Sequence, residues 1–262
     1  MKRFGQSAWA IRPAGLAAIT SWLLAGHGLA AGATWGLLLI PESNIAMLLL
    51  SLLTAIVIVI LVGLVETTAL LAWTDRSTRG LAGWRARLLD AGRRLPAFLA
   101  GLTAFALLWW LTARIDSWWT LHRGEIDAWL LVTFAWTDAT PLHAVVGWIT
   151  WSIRYVLGLS IALSLVLRGI RALNRPDWLL DALGPIRLAA IAICLLVLVM
   201  LPWQVAEWRP ARLPATWVEA MFVVAKLGAI ALVAHVGWAL VLLTAARTQS
   251  ERQSTSVQDL PA

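Results

Sequence analysis

Apolar and polar positions along this chain alternate in long blocks and not residue by residue. Six predominantly apolar runs, at roughly 14–40, 45–73, 96–113, 142–167, 185–204 and 217–245, are separated by segments that hold most of the charge. At a rise of about 1.5 Å per residue, each run is about long enough to cross a ~30 Å hydrocarbon layer. Inside lipid every backbone polar group must bond within its own segment, so runs of this length are predicted to be helices. A β-barrel would need short alternating strands, and no such alternation is visible. The expected fold class is therefore all-α: a polytopic integral membrane protein with six transmembrane helices forming a single domain over 1–246. The polar tail at 247–262 holds too few apolar residues to fold and is expected to be disordered.

Composition agrees with this pattern. The chain is 60% hydrophobic and 13% charged, with a mean hydropathy of +0.78, whereas soluble domains carry about 25% charged residues. A water-soluble chain of 262 residues could not hide that much apolar surface. The first run superficially fits a cleaved leader, with Lys2-Arg3 ahead of it and Ala31-Gly32-Ala33 within it. Its apolar character continues to Ile40, so it is read as a span. Tryptophans gather near the predicted span ends (Trp35, Trp73, Trp109, Trp110, Trp118, Trp119, Trp203, Trp217), where an indole keeps its N–H hydrated while the ring meets lipid. The lone Cys194 excludes an intramolecular disulfide and any multi-cysteine metal site.

Charge sets the expected orientation. The net charge of +7 would suggest a nucleic-acid partner in a soluble protein. Here the basic residues are sorted by side: Lys2, Arg3 and Arg12; Arg76, Arg79, Arg85, Arg87, Arg93 and Arg94; Arg168, Arg171, Arg175 and Arg187; Arg247 and Arg252. The opposite connections hold only Arg114, Arg123, Arg209 and Arg212. Fifteen against four is a positive-inside bias, which places both termini in the cytoplasm of a bacterial-type inner membrane. No nucleic-acid partner is expected; the lipid bilayer is, with a membrane-protein partner or a second copy of the chain as further candidates. A Trp and a proline precede each outward-going span (Trp9 and Pro13, Trp84 and Pro96, Trp178 and Pro185). In the middle copy Leu81, Trp84, Leu88 and Leu95 share a helical face, which predicts amphipathic cytoplasmic helices lying on the inner leaflet.

Candidate chemistry falls into three groups. Ionisable residues inside spans are costly to keep there and are functional suspects. These are Glu66, His235 and His27, which form a candidate proton or ion path, with Glu66 and His235 at matching depth. Arg154, mid-depth and with no acidic residue expected at its own level, and Lys226 are candidates for contact with an anionic lipid or substrate. The second group lies in the polar segment 114–141, expected to form an extracytoplasmic interfacial cap between spans three and four. There His122, Glu125, Asp127 and, just beyond, His143 are the candidate catalytic residues. Imidazole with carboxylate suits a divalent metal at His122, Glu125 and His143, although Gly124 interrupts the helical alignment. No cofactor is otherwise predicted. Thr140-Pro141 reads as an N-cap and first helical position opening span four. The third group, Gly28, Gly32 and Gly36, presents small residues one turn apart. This suits packing against a neighbouring span of the same chain or, alternatively, an oligomer interface.

With no hydrophilic catalytic domain, the leading expectation is a non-catalytic, transporter-like or scaffold subunit of a membrane complex. The first alternative is a membrane-embedded enzyme acting on a lipid-linked or extracytoplasmic substrate. The second is a proton-coupled carrier.

Overall fold

Each apolar run closes its own backbone hydrogen bonds, and each forms a helix. The structure is a computed structural model that describes residues 13–41, 43–74, 81–175, 177–208 and 216–258. In chain order the helices are α1 (Pro13–Leu38), α2 (Ile45–Thr74), α3 (Leu81–Leu121), α4 (Arg123–Phe134) and α5 (Thr140–Trp151). A π-helical turn (Ser152–Leu157) joins α5 to α6 (Gly158–Arg168), and a short 3-10 turn (Ile170–Asn174) leads to α7 (Asp177–Ala182). Two long helices follow, α8 (Pro185–Glu207) and α9 (Thr216–Gln258). There is no strand among the described residues. Six helical stretches are long and apolar enough to cross a membrane: Ala14–Leu38, Ile45–Thr74, Gly83–Leu121, Thr140–Arg168, Pro185–Glu207 and Trp217–Arg247. These coincide with the six runs read from hydropathy.

The element ends differ where hydropathy and hydrogen bonding diverge. α3 passes unbroken through Pro96 from Leu81, so the Trp84 segment is continuous with its span and does not form a separate surface helix. Trp84 stacks on Trp22 with ring centroids 5.1 Å apart, which turns its expected lipid-facing side towards α1. At its other end α3 runs to Leu121, eight residues beyond the expected end at Ala113. Thr140 is itself helical, and its backbone N–H is received by Asp138 Oδ1 at 2.9 Å, so Asp138 takes the capping role expected of Thr140. α9 continues as far as Gln258, where a disordered tail was expected from 247. The basic residues Lys2, Arg3, Arg12, Arg76, Arg79, Arg209 and Arg212, together with Trp9, lie outside the described residues.

Contacts divide the chain into two compact units. One comprises Met1–Ala91 with Leu196–Leu243, the other Gly92–Leu195 with Thr244–Ala262. In the first unit α1 packs on α2. Their close approach needs Gly26, because a Cβ there would fall within the Val65 side chain. Indole donors then tie helices together through backbone carbonyls: Trp22 Nε1 to Val65 O at 3.0 Å and Trp73 Nε1 to Ala239 O at 3.1 Å. Gly28, Gly32 and Gly36 do not take part, since a Cβ at any of them would meet nothing within 4 Å. The reading of that stripe as packing within the chain is therefore corrected: the close helix contact is made by Gly26.

In the second unit α3 lies against α6 at Gly101, whose added Cβ would stand 3.0 Å from the Ala162 backbone. Arg94 donates to Val166 O at 3.1 Å and also to Leu167 O, satisfying carbonyls that the end of α6 leaves without an intrahelical partner. Gly169, at φ +81°, then turns the chain. The guanidinium of Arg187, 3% exposed, donates to Ser160 O at 3.2 Å, and Ser160 Oγ donates to Ala182 O at 2.8 Å.

Candidate functional site

Three of the ionisable residues inside spans meet in the first unit. His27 comes from α1, Glu66 from α2 and His235 from α9. His27 Nε2 lies 2.8 Å from Glu66 Oε1, and His27 Nδ1 lies 3.1 Å from His235 Nε2. The expected pair was Glu66 with His235; the structure inserts His27 between them. Two further contacts close the row. His235 Nδ1 is 2.6 Å from the Ala231 carbonyl oxygen, and Trp238 Nε1 donates to Glu66 Oε2 at 2.6 Å. Side-chain exposure is 29% for His27 and 15% for Glu66, so both groups are largely withdrawn from the surface of an apolar helix cluster.

The donor and acceptor inventory decides where protons can sit in this row. A carbonyl oxygen only accepts, so His235 Nδ1 carries a hydrogen. The Trp238 indole only donates, so Glu66 Oε2 accepts. Each of the two inner contacts holds one hydrogen. Three arrangements satisfy both. In the first, Glu66 is protonated and both imidazoles are neutral. In the second, His27 is an imidazolium facing a Glu66 carboxylate. In the third, the imidazolium is His235, again with Glu66 ionised. A fourth would require an imidazolate and is excluded. All three carry zero net charge, and they interconvert by movement of hydrogens alone. One proton thus has three seats along a row that spans three helices.

The second polar cluster surrounds Arg154, which sits in the π-helical turn. Such turns widen the helix by one residue and recur at functional sites. Arg154 Nε donates to Thr112 Oγ1 at 2.9 Å, its Nη2 donates to the Asp116 carboxylate, and its guanidinium carbon stands 4.9 Å from the Trp109 ring centre. The expectation that Arg154 lacks an acidic partner is corrected. Thr112 and Asp116 are one turn apart on α3, and Asp116 is within reach because α3 continues beyond Ala113. A cavity of about 450 Å³ opens beside this pair, with Asp116, Trp119, Arg123, His143, Arg154 and Tyr155 in its lining.

His143 holds a fixed tautomer in that wall. Trp119 Nε1 donates to its Nδ1 at 2.9 Å, so the ring hydrogen belongs on Nε2, which donates to Asp127 Oδ1 at 2.7 Å. Both ring nitrogens are thereby occupied by protein, which leaves no lone pair for a metal or a substrate proton. His122 is elsewhere: its ring stacks on Trp118 at 4.7 Å, with Nδ1 2.8 Å from Trp118 O. Glu125 lies in the first turn of α4, where the helix dipole favours it. The structure thus joins Asp127 to His143 and leaves His122 and Glu125 apart from them. Among the described residues no three His, Cys, Asp or Glu side chains cluster to hold a metal. Lys226 donates to Ala206 O and, at 3.0 Å, to Trp208 O, so its ammonium sits on carbonyls at the end of α8.

The residues that hydropathy could not single out are Trp238, Thr112, Trp119 and Tyr155. Trp238 carried one faint signal, its i+3 spacing from His235.

Fold and site together define an all-helical, multi-pass membrane protein with two polar clusters set within its helices. Comparison with protein-family models, with curated proteins and with solved structures gives no match.

Proposed function

We propose that this protein is a non-catalytic, transporter-like membrane protein, a carrier that couples solute movement to a proton held by the His27–Glu66–His235 row. The observation that carries this reading is the unbroken hydrogen-bonded row of three titratable side chains from three spans. Ionisable groups are expensive inside a bilayer, and linked carboxylates and imidazoles there mark proton relays. Imidazole and carboxylate groups joined by hydrogen bonds can hand a proton from one to the next, which is what a coupling site requires. The inner-membrane location with both termini cytoplasmic rests on the positive-inside distribution of Lys and Arg.

The enzyme reading draws less support, because its candidate His143 has both nitrogens engaged and His122 and Glu125 stand apart. The subunit reading keeps one observation in its favour, the Gly28, Gly32 and Gly36 face, where an added Cβ would meet nothing within 4 Å among the described residues.

The test uses the full chain in lipid vesicles loaded with a pH-sensitive dye and challenged with solutes across an imposed pH gradient. The wild type is expected to acidify the lumen as solute enters. Glu66→Gln is expected to lose that pH-dependent component by about tenfold or more, equivalent to roughly 1.4 kcal/mol. Uptake with the same pH dependence in Glu66→Gln as in the wild type contradicts the proposal.

A further inference from the structure

The cavity at the π-helical turn has a composition that the proton row does not use. Two arginines, Arg154 and Arg123, are among the residues that line it, together with Asp116. His143 adds no charge, since its Nδ1 accepts from Trp119 and its Nε2 faces Asp127. Two cations and one carboxylate leave one positive charge on the wall.

The donors still available are specific. Arg154 uses Nε on Thr112 and Nη2 on Asp116, which leaves its Nη1 edge without an acceptor among the described residues. Arg123, exposed at the first position of α4, makes no ion pair or hydrogen bond with the described residues. Tyr155 is also in the lining. Arg154 is held from three sides, by Thr112, Asp116 and the Trp109 ring, so its free edge is oriented before any ligand arrives. Trp119, Trp151 and Val146 supply apolar wall beside the hydroxyl-bearing Thr120 and Thr150. A volume of about 450 Å³ matches a small ligand or a lipid headgroup, not a bare proton or water molecule.

From this we infer that the cavity is a binding site for a phosphate group, held between the free edge of Arg154 and the guanidinium of Arg123. Planar guanidinium forks pair with phosphate oxygens, and a phosphodiester supplies the single negative charge that the wall lacks. This assignment stands independently of the proton row: phosphate binding can be measured with no pH gradient and no transport. The phosphate belongs either to an anionic lipid or to a soluble compound, and the test separates the two.

The full chain is placed in nanodiscs of phosphatidylcholine, alone or with phosphatidylglycerol, and studied by native mass spectrometry and by calorimetric titration with inorganic phosphate. The variants are Arg154→Gln and Arg123→Gln. Arg123 has no structural partner among the described residues, so its variant is expected to fold as the wild type does and keeps the test decisive if Arg154→Gln does not fold. Selective retention of one phosphatidylglycerol, weakened about ten- to a hundredfold in Arg123→Gln, establishes a lipid headgroup site. Saturable phosphate binding in phosphatidylcholine discs, weakened similarly, establishes a soluble ligand. Binding of neither probe, or binding undiminished in Arg123→Gln, overturns the inference.

Discussion

At the residue scale, the imidazoles and the carboxylate that meet inside the apolar helices of the first unit hold one another in a continuous set of hydrogen bonds. Trp238 shows this most clearly. Its indole fills the second oxygen of Glu66, which would otherwise be a desolvated lone pair. Trp238→Phe keeps an aromatic ring, smaller than the indole, and removes that donor. It is expected to lower thermal stability in lipid by about 1–3 kcal/mol, measured against wild type in the same bilayer. Asp138 illustrates the same economy at the surface. Hydrogen bonds from Thr140, side chain and backbone, hold its carboxyl below the ordinary carboxylate value. A depressed folded-state pKa means the contribution is fully present above the unfolded value of 3.8 and fades as pH falls through the folded one. Asp138→Ala is therefore expected to destabilise at neutral pH and to match the wild type in strong acid, read from paired unfolding curves across pH. Much of this was legible in the sequence as single letters. Glu66, His27, His235 and Arg154 stand out because charge in an apolar run is conspicuous. Their partners did not, because Trp238 and Thr112 are ordinary residues in a membrane helix, and only the fold brings them to the charges.

At the element scale, helix ends are set by backbone hydrogen bonding and not by the boundary between apolar and polar letters. Hydropathy ended the third span at Ala113, yet nothing in Arg114–Leu121 breaks a helix. The helix continues and carries Asp116 and Trp119 to Arg154 and His143. The π-helical turn left no signal at all, since a widened turn needs no particular residue. Glycines divide in a way that spacing could not foretell. Gly101 stands against the Ala162 backbone, whereas Gly28, Gly32 and Gly36 meet nothing. Gly101→Ala is expected to cost roughly 1–3 kcal/mol, since neither backbone can move aside alone. The same change at Gly28 is expected to be neutral or stabilising by up to about 1 kcal/mol through helix propensity. Thermal unfolding of the two variants side by side distinguishes them, and equal effects would contradict this division. Ala135 offers a complementary case: at φ 53° it ends α4 in the left-handed region, so Ala135→Gly is expected to stabilise by about 1 kcal/mol.

For the whole molecule, six helices able to span a membrane leave abundant apolar surface directed outwards, with Ile45 at 77% and Ile186 at 81% exposed. Lipid accounts for that surface without requiring a protein partner over all of it. The proposed topology, six spans with the arginine-rich connections in the cytoplasm, would put both termini on that side. Reporter fusions at the two ends are expected to report the same compartment. The central claim is the single proton shared by His27, Glu66 and His235. Nitrogen-15 NMR of histidine-labelled protein in bilayers reads it most directly, comparing wild type with Glu66→Gln at neutral pH. The shared proton predicts a hydrogen-bond coupling between His27 Nδ1 and His235 Nε2, and ring nitrogen shifts of both residues that move when Glu66 loses its capacity to exchange a proton. Ring shifts unchanged by Glu66→Gln, with no coupling between the two imidazoles, would contradict the account.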